Sequence, residues 1–155
     1  MYKTYYGFSG TPFSKDVKPA ELYMHGHFKE LASRFEYIKQ HRGIMLLTGD
    51  PGTGKTTSLR YFLSTLNEGL FFPVYLPLST VGVTDFYRQL NDRLGGEHGH
   101  TKSLLFRAIQ KRILDLESNQ NRVPVIIIDE CHFLRNENFF ELQIISNFNL
   151  DSHDP

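Results

Sequence analysis

Cysteine occurs once in these 155 residues, at Cys131. That excludes an internal disulfide and fits the reducing cytosol. Charge of one sign is not in excess either: 17 Lys and Arg against 17 Asp and Glu give a formal net charge of zero. With no global field to draw nucleic acid in, any DNA contact has to come from a local basic patch. Long apolar runs are missing, and the opening MYKTYYGFSG lacks the basic-then-apolar layout of a signal peptide. There is no internal repeat and no low-complexity tract. The expectation is a cytoplasmic chain with no membrane partner, about one domain in size.

What is present is an alternation of strand and helix patterns. Residues 1–24 are rich in Gly, Pro and aromatics and read as an extended arm with turns. Phe28, Leu31, Phe35 and Ile38 then fall three or four apart, on one helical face. The apolar run GIMLLTG, residues 43–49, predicts a short buried parallel strand. Leu59, Phe62, Leu63 and Leu66 form the stripe of a helix starting near Lys55. FFPVYLPL predicts a second strand, held to an edge or a short central piece by Pro73 and Pro77. Helices follow over about 84–94, stopped by Gly95 and Gly96, and about 101–117, with Leu105, Ile109, Ile113 and Leu116 on one side. VPVIIIDE predicts the third and most apolar strand, and NENFFELQIISNFNL a helix with a broad apolar face. Strands alternating with helices mean a parallel sheet covered on both sides.

Two stretches carry chemistry. Gly49, Gly54, Lys55 and Thr56 satisfy G-x-x-x-x-G-K-[ST], the phosphate-binding loop pattern, between a predicted strand and a predicted helix. Glycines let the backbone curl so that successive N–H groups form an anion nest, and the following helix offers its N-terminus. Lys55 would reach the β- and γ-phosphates of ATP and the Thr56 hydroxyl would ligate Mg²⁺. Asp50, Pro51, Gly52, Thr53 and Thr57 complete the cradle. Further on, Ile126, Ile127 and Ile128 bury a strand whose C-terminal end presents Asp129 and Glu130, the end where ligands sit in open α/β sheets. Asp129 would hold Mg²⁺ through its water shell, and Glu130 would orient and deprotonate the attacking water.

GDPGTGKTT together with VIIIDECH resembles the AAA+ branch of P-loop ATPases. YYGFSGTPFS, RFEYIKQHRGIMLLTG and LPLSTVGVTDFYRQL are similar to the bacterial subgroup related to general-secretion-pathway protein A, which includes ATPases carried by transposons. The resemblance runs from about Tyr5 to Pro155. It implies a three-layer α/β/α P-loop NTPase with a parallel sheet. Residues 1–40 would be the N-terminal arm and leading helix, and 41–155 a truncated ATPase core. It also implies ATP hydrolysis, self-association through the ATP sites, and action on double-stranded DNA with a transposase. The secretion-pathway members carry a membrane-spanning segment and a wall-binding part not seen in this sequence, which points to the DNA-directed branch.

In that class a further strand, carrying the first sensor residue, follows the Asp-Glu strand in sequence and lies between it and the phosphate-loop strand. Here the sequence reaches DSHDP where that strand should begin. The expectation is a domain incomplete at its C-terminus, without its sensor, arginine finger or helical lid, in which nucleotide binding survives better than hydrolysis. Both neighbouring strands would then have unpaired backbone groups. The apolar face of Phe139, Phe140, Ile144, Ile145 and Phe148 would be what the missing part covers. Arg135 is the nearest Arg after the acidic pair, with no spacing that makes it a finger.

Other features have plainer explanations. DECH is similar to the DExH box of helicases, but a helicase needs further motifs and a second motor domain that 155 residues cannot hold. Cys131 is expected to pack, and His132 to lie toward the γ-phosphate as a polar coupling residue. His98 and His100 lack a third metal ligand at a recognised spacing and read as a polar loop. Lys102, Arg107, Lys111 and Arg112 give one helix a basic side, ordinarily a solvated face and at most a DNA contact. Phe13 and Tyr23 could flank an adenine or simply pack.

Overall fold

The computed structural model describes residues 2–8, 11, 18–77 and 82–147. Phe13 and Phe148 lie outside the described residues. The chain divides into two compact units, residues 1–65 and 66–155.

The first unit holds α1 (Tyr2–Tyr6), α2 (Gly26–His41) and α3 (Lys55–Thr65). Helix α1 corrects the expectation of an extended arm over 1–24: five residues, none buried, form one helical turn whose end is closed by the Phe8 N–H on the Lys3 carbonyl at 2.8 Å. The predicted stripe does pack α2 on α3. Phe35 stacks on Phe62 with ring centroids 4.6 Å apart, and Phe28 meets Tyr61 edge-on at 5.1 Å. Such pairs add about 0.5–1.5 kcal/mol to the area they bury.

Residues 43–49 are the main departure from the sequence pattern. They form no strand, and Ile44 and Leu46 are 71% and 69% exposed. The physical reason is pairing. A parallel strand exists only against a neighbour, and among the described residues the ladder has just two members, neither of them this segment. Apolar periodicity specifies that a segment can be buried, while a ladder partner decides whether it is.

The second unit contains β1 (Phe71–Pro77), α4 (Val83–Leu94), α5 (Lys102–Ser118), β2 (Val123–Asp129) and α6 (Asn136–Asn147). Strands β1 and β2 pair in parallel over seven positions, from Phe71 opposite Val123 to Pro77 opposite Asp129. The crossover between them carries both helices, which bury one face of the sheet. Val74 and Leu76 from β1 meet Phe86, Tyr87, Leu90 and Leu94 of α4 and Leu105, Ile109, Ile113 and Leu116 of α5 in one core. The spacing of those helical residues, three or four apart with one adjacent pair, is what lets both stripes face the same strand pair. Helix α4 ends on Gly95 in the left-handed conformation, with its N–H on the Asp92 carbonyl at 3.1 Å. Helix α5 begins at Thr101, whose hydroxyl accepts the Leu104 N–H at 3.3 Å.

Helix α6 buries Asn138 and Ile145 but leaves Phe139, Phe140 and Ile144 exposed. Ile145 therefore belongs to the core rather than to the open apolar face expected from the sequence, because it follows the packing side of the helix. Among the described residues no helix is long and apolar enough to cross a membrane.

Candidate functional site

Residues 49–54 form a tight loop that delivers the chain into α3. Gly52 and Gly54 adopt φ of +81° and +89°, a region where a side chain is strained. No atom lies within 4 Å of a Cβ built on either one, so backbone conformation rather than crowding requires glycine. The turn is closed by Thr53, whose N–H and hydroxyl both donate to the Asp50 carbonyl, at 3.3 and 2.8 Å. The Lys55 ammonium arches back over the loop and donates to the carbonyls of Gly49 at 2.8 Å and Asp50 at 3.0 Å.

Helix α3 starts at Lys55, and its first turn holds no acidic residue. The Ser58 N–H and hydroxyl reach the Gly54 carbonyl at 2.8 and 2.9 Å. By helix geometry the first-turn N–H groups have no carbonyl one turn earlier within the helix, and the dipole leaves that end positive. Thr56 and Thr57 are exposed on this turn. The loop thus gathers an ammonium, hydroxyls and a positive helix end around a curled backbone, a donor set that suits a polyphosphate.

In the second unit β2 ends at Asp129, opposite Pro77 of β1. Both carboxylate oxygens of Asp129 are held: Oδ2 accepts the Tyr75 hydroxyl at 3.0 Å, and Oδ1 accepts the Glu130 N–H at 3.0 Å. Burial, the bond to Asp129 and the Asp129 and Glu130 charges all push the Tyr75 phenol up from its ordinary 10.0, so it stays protonated as a donor. Glu130 sits in the left-handed region at φ 54°, ψ 36° and opens the turn Cys131–Phe133. A non-glycine residue there costs about 1–3 kcal/mol, strain of the kind that gathers at functional sites. That backbone leaves the Glu130 carboxylate exposed and 3.2 Å from His132 Nδ1. Cys131 packs against the core, in line with its expected role.

Phosphate-loop residues 49–57 and the pair Asp129 and Glu130 are each assembled locally, in separate units. Tyr75 was missed by sequence reasoning. Alternation along FFPVYLP sets it on the opposite face from Val74 and Leu76, but only the register reveals that Asp129 lies on that face too. Tyr23 is exposed and its ring lies 6.5 Å from that of His25. The basic side of α5 is largely neutralised. Lys102 pairs with Glu141, Lys111 with Glu97, and Arg112 with Asp115 and the Leu94 carbonyl. Among the described residues no group of three His, Cys, Asp or Glu could hold a metal ion.

A parallel strand pair with crossover helices and a curled glycine loop at a helix N-terminus define the chain as an α/β protein of the P-loop NTPase class. The family model of the AAA domain matches residues 38–155, and the chain belongs to that family. The chain is also similar to general secretion pathway protein A of Aeromonas hydrophila, with 29% identity over 158 residues. That match covers 97% of this chain and 28% of the relative, so the chain spans less than a third of its length. No solved structure matches significantly.

Proposed function

We propose that the chain binds ATP with Mg²⁺ and hydrolyses it as an AAA+ ATPase. Gly49, Asp50, Pro51, Gly52, Thr53, Gly54, Lys55, Thr56 and Thr57 would form the phosphate cradle, and Thr56 and Asp129 would hold the metal. The observation that carries this reading is the Lys55 ammonium lying over the loop, on the Gly49 and Asp50 carbonyls, directly before the N-terminus of α3. A phosphate would replace two neutral acceptors with charged ones, and such hydrogen bonds are about twice as strong. Bound Mg²⁺ would neutralise phosphate charge. Glu130 would take the proton of the attacking water on a carboxylate oxygen, with His132 orienting that carboxylate. Calorimetric titration with ATP tests the cradle, and Lys55→Ala binding as tightly as the parent chain would overturn it.

A second reading, nucleotide binding with little turnover, is favoured by the exposed Ile44 and Leu46 in a segment that has no ladder partner among the described residues. Turnover measurements separate the two. The larger role we propose is an oligomeric, cytoplasmic switch, related either to secretion-pathway regulation or to transposition on double-stranded DNA with a transposase. Support comes from the AAA domain family and the similarity to general secretion pathway protein A. Paired charges on α5 leave that helix little net field, so DNA contact would have to come from elsewhere.

A further inference from the structure

Helix α6 packs on α4, and between α6 and α5 a groove of about 380 Å³ opens with Tyr87 of α4 at its floor. Phe106 and Arg107 of α5 line it on one side and Ile144 of α6 on the other. The Lys102–Glu141 ion pair bridges the two helices. Along α6, Glu137, Phe140 and Ile144 follow at spacings of three and four, so they share one stripe of the helix. That stripe is open to solvent: Phe140 is 66% and Ile144 49% exposed, and Glu137 is exposed too. Large apolar side chains left together at a surface mark an interaction site. The charges beside them are unmatched. Lys102, Lys111 and Arg112 of α5 have carboxylate partners, whereas Arg107 and Glu137 form no ion pair among the described residues.

We propose that this face, the α6 stripe with the adjoining groove, is a self-complementary interface that takes a second copy of the same chain. In a two-fold dimer one patch meets itself, so each group needs its complement elsewhere on that patch. The spacing along α6 supplies it. Glu137 and Ile144 are seven residues, or about 10 Å, apart, and Phe140 lies midway. Two α6 helices crossing antiparallel with Phe140 at the axis bring Glu137 of one copy opposite Ile144 of the other. Arg107 lines the groove beside that Ile144, so the free carboxylate of each copy reaches the free guanidinium of the other. The ion pair forms twice per dimer, around an aromatic centre of the kind that interfaces favour. Only residues 66–155 are involved, so the interface does not depend on the nucleotide reading.

The test is sedimentation equilibrium of the 155-residue chain in EDTA without nucleotide, over a wide range of concentration. The parent mass should rise from 18.0 kDa to twice that value. Arg107→Glu and Glu137→Lys each set like charges opposite one another, and each should weaken the dimer at least about tenfold. The double variant, with the charges exchanged, should recover the parent's affinity, and an equimolar mixture of the two single variants should form a mixed dimer. Recovery in either form shows that the single changes leave the fold intact. A parent mass of 18.0 kDa at every concentration overturns the interface. So does a dimer that both single variants leave unweakened, or a loss that neither the double variant nor the mixture restores.

Discussion

The Tyr87 hydroxyl, inside the core, donates to Glu141 Oε2 at 2.8 Å and so ties α4 to α6 across 54 residues of sequence. Lys102 of α5 completes the clamp, with its ammonium 2.5 Å from Glu141 Oε1 and 5.7 Å from the Tyr87 ring centre. Three helices thus converge on one carboxylate. Tyr87→Phe should destabilise the fold by about 1.5–3 kcal/mol, the range for a hydrogen bond to a charged group. Urea unfolding measures this, and a change under 0.5 kcal/mol would mean that the bond contributes little in solution.

The same carboxylate predicts acid sensitivity. Burial pushes Glu141 up, but hydrogen bonds from Lys102 and Tyr87 outweigh it and hold the group below its ordinary 4.5. A carboxyl lowered by folding contributes stability that is complete above its unfolded value and lost as pH falls through its folded one. The unfolding midpoint should therefore drop below about pH 4.5, and drop less steeply in Glu141→Gln. Identical pH profiles for the two chains would exclude this origin.

Leu90 is fully buried between α4 and the sheet, whereas Leu46 is 69% exposed. Leu90→Ala should cost about 2–5 kcal/mol. Leu46→Ser should stay within about 0.5 kcal/mol, as surface changes do. If Leu46→Ser proves as damaging as Leu90→Ala, residues 43–49 pair in solution as their apolar pattern suggests.

Glu130→Gln should abolish ATP turnover while ATP affinity stays within about twofold, because a neutral amide cannot take the water's proton. Phosphate release checks turnover and calorimetry checks binding. Measurable turnover that Glu130→Gln leaves unchanged would remove Glu130 from the mechanism. No turnover in the parent chain, with binding intact, would select the binding-only reading.

Local features were the legible part of the sequence. Helices α2, α3 and α5 follow from stripes three or four residues apart, the end of α4 from the glycines that stop it, α6 from its broad apolar face, and the loop from glycine spacing, because these patterns depend on neighbours within a turn or two. The acidic pair was legible for the same reason: an apolar strand has to end where charge begins. Other features depended on the ladder. The pattern of GIMLLTG marks a segment fit to be buried, yet its exposure was decided by which strands pair.

By itself the sequence determined the phosphate-loop pattern, the crossover helices and the chain positions of Asp129 and Glu130. Tertiary structure alone decided that Tyr75 reaches Asp129, because a register of Tyr75 on Ile127 is a relation between strands 52 positions apart in sequence. It also decided that Lys111 and Lys102 of α5 meet Glu97 and Glu141, so that charges on a solvated face are paired within the chain, Lys111 with an exposed Glu97 and Lys102 with a largely buried Glu141. Periodicity along a chain specifies which way a side chain can face, but only packing brings two distant faces together.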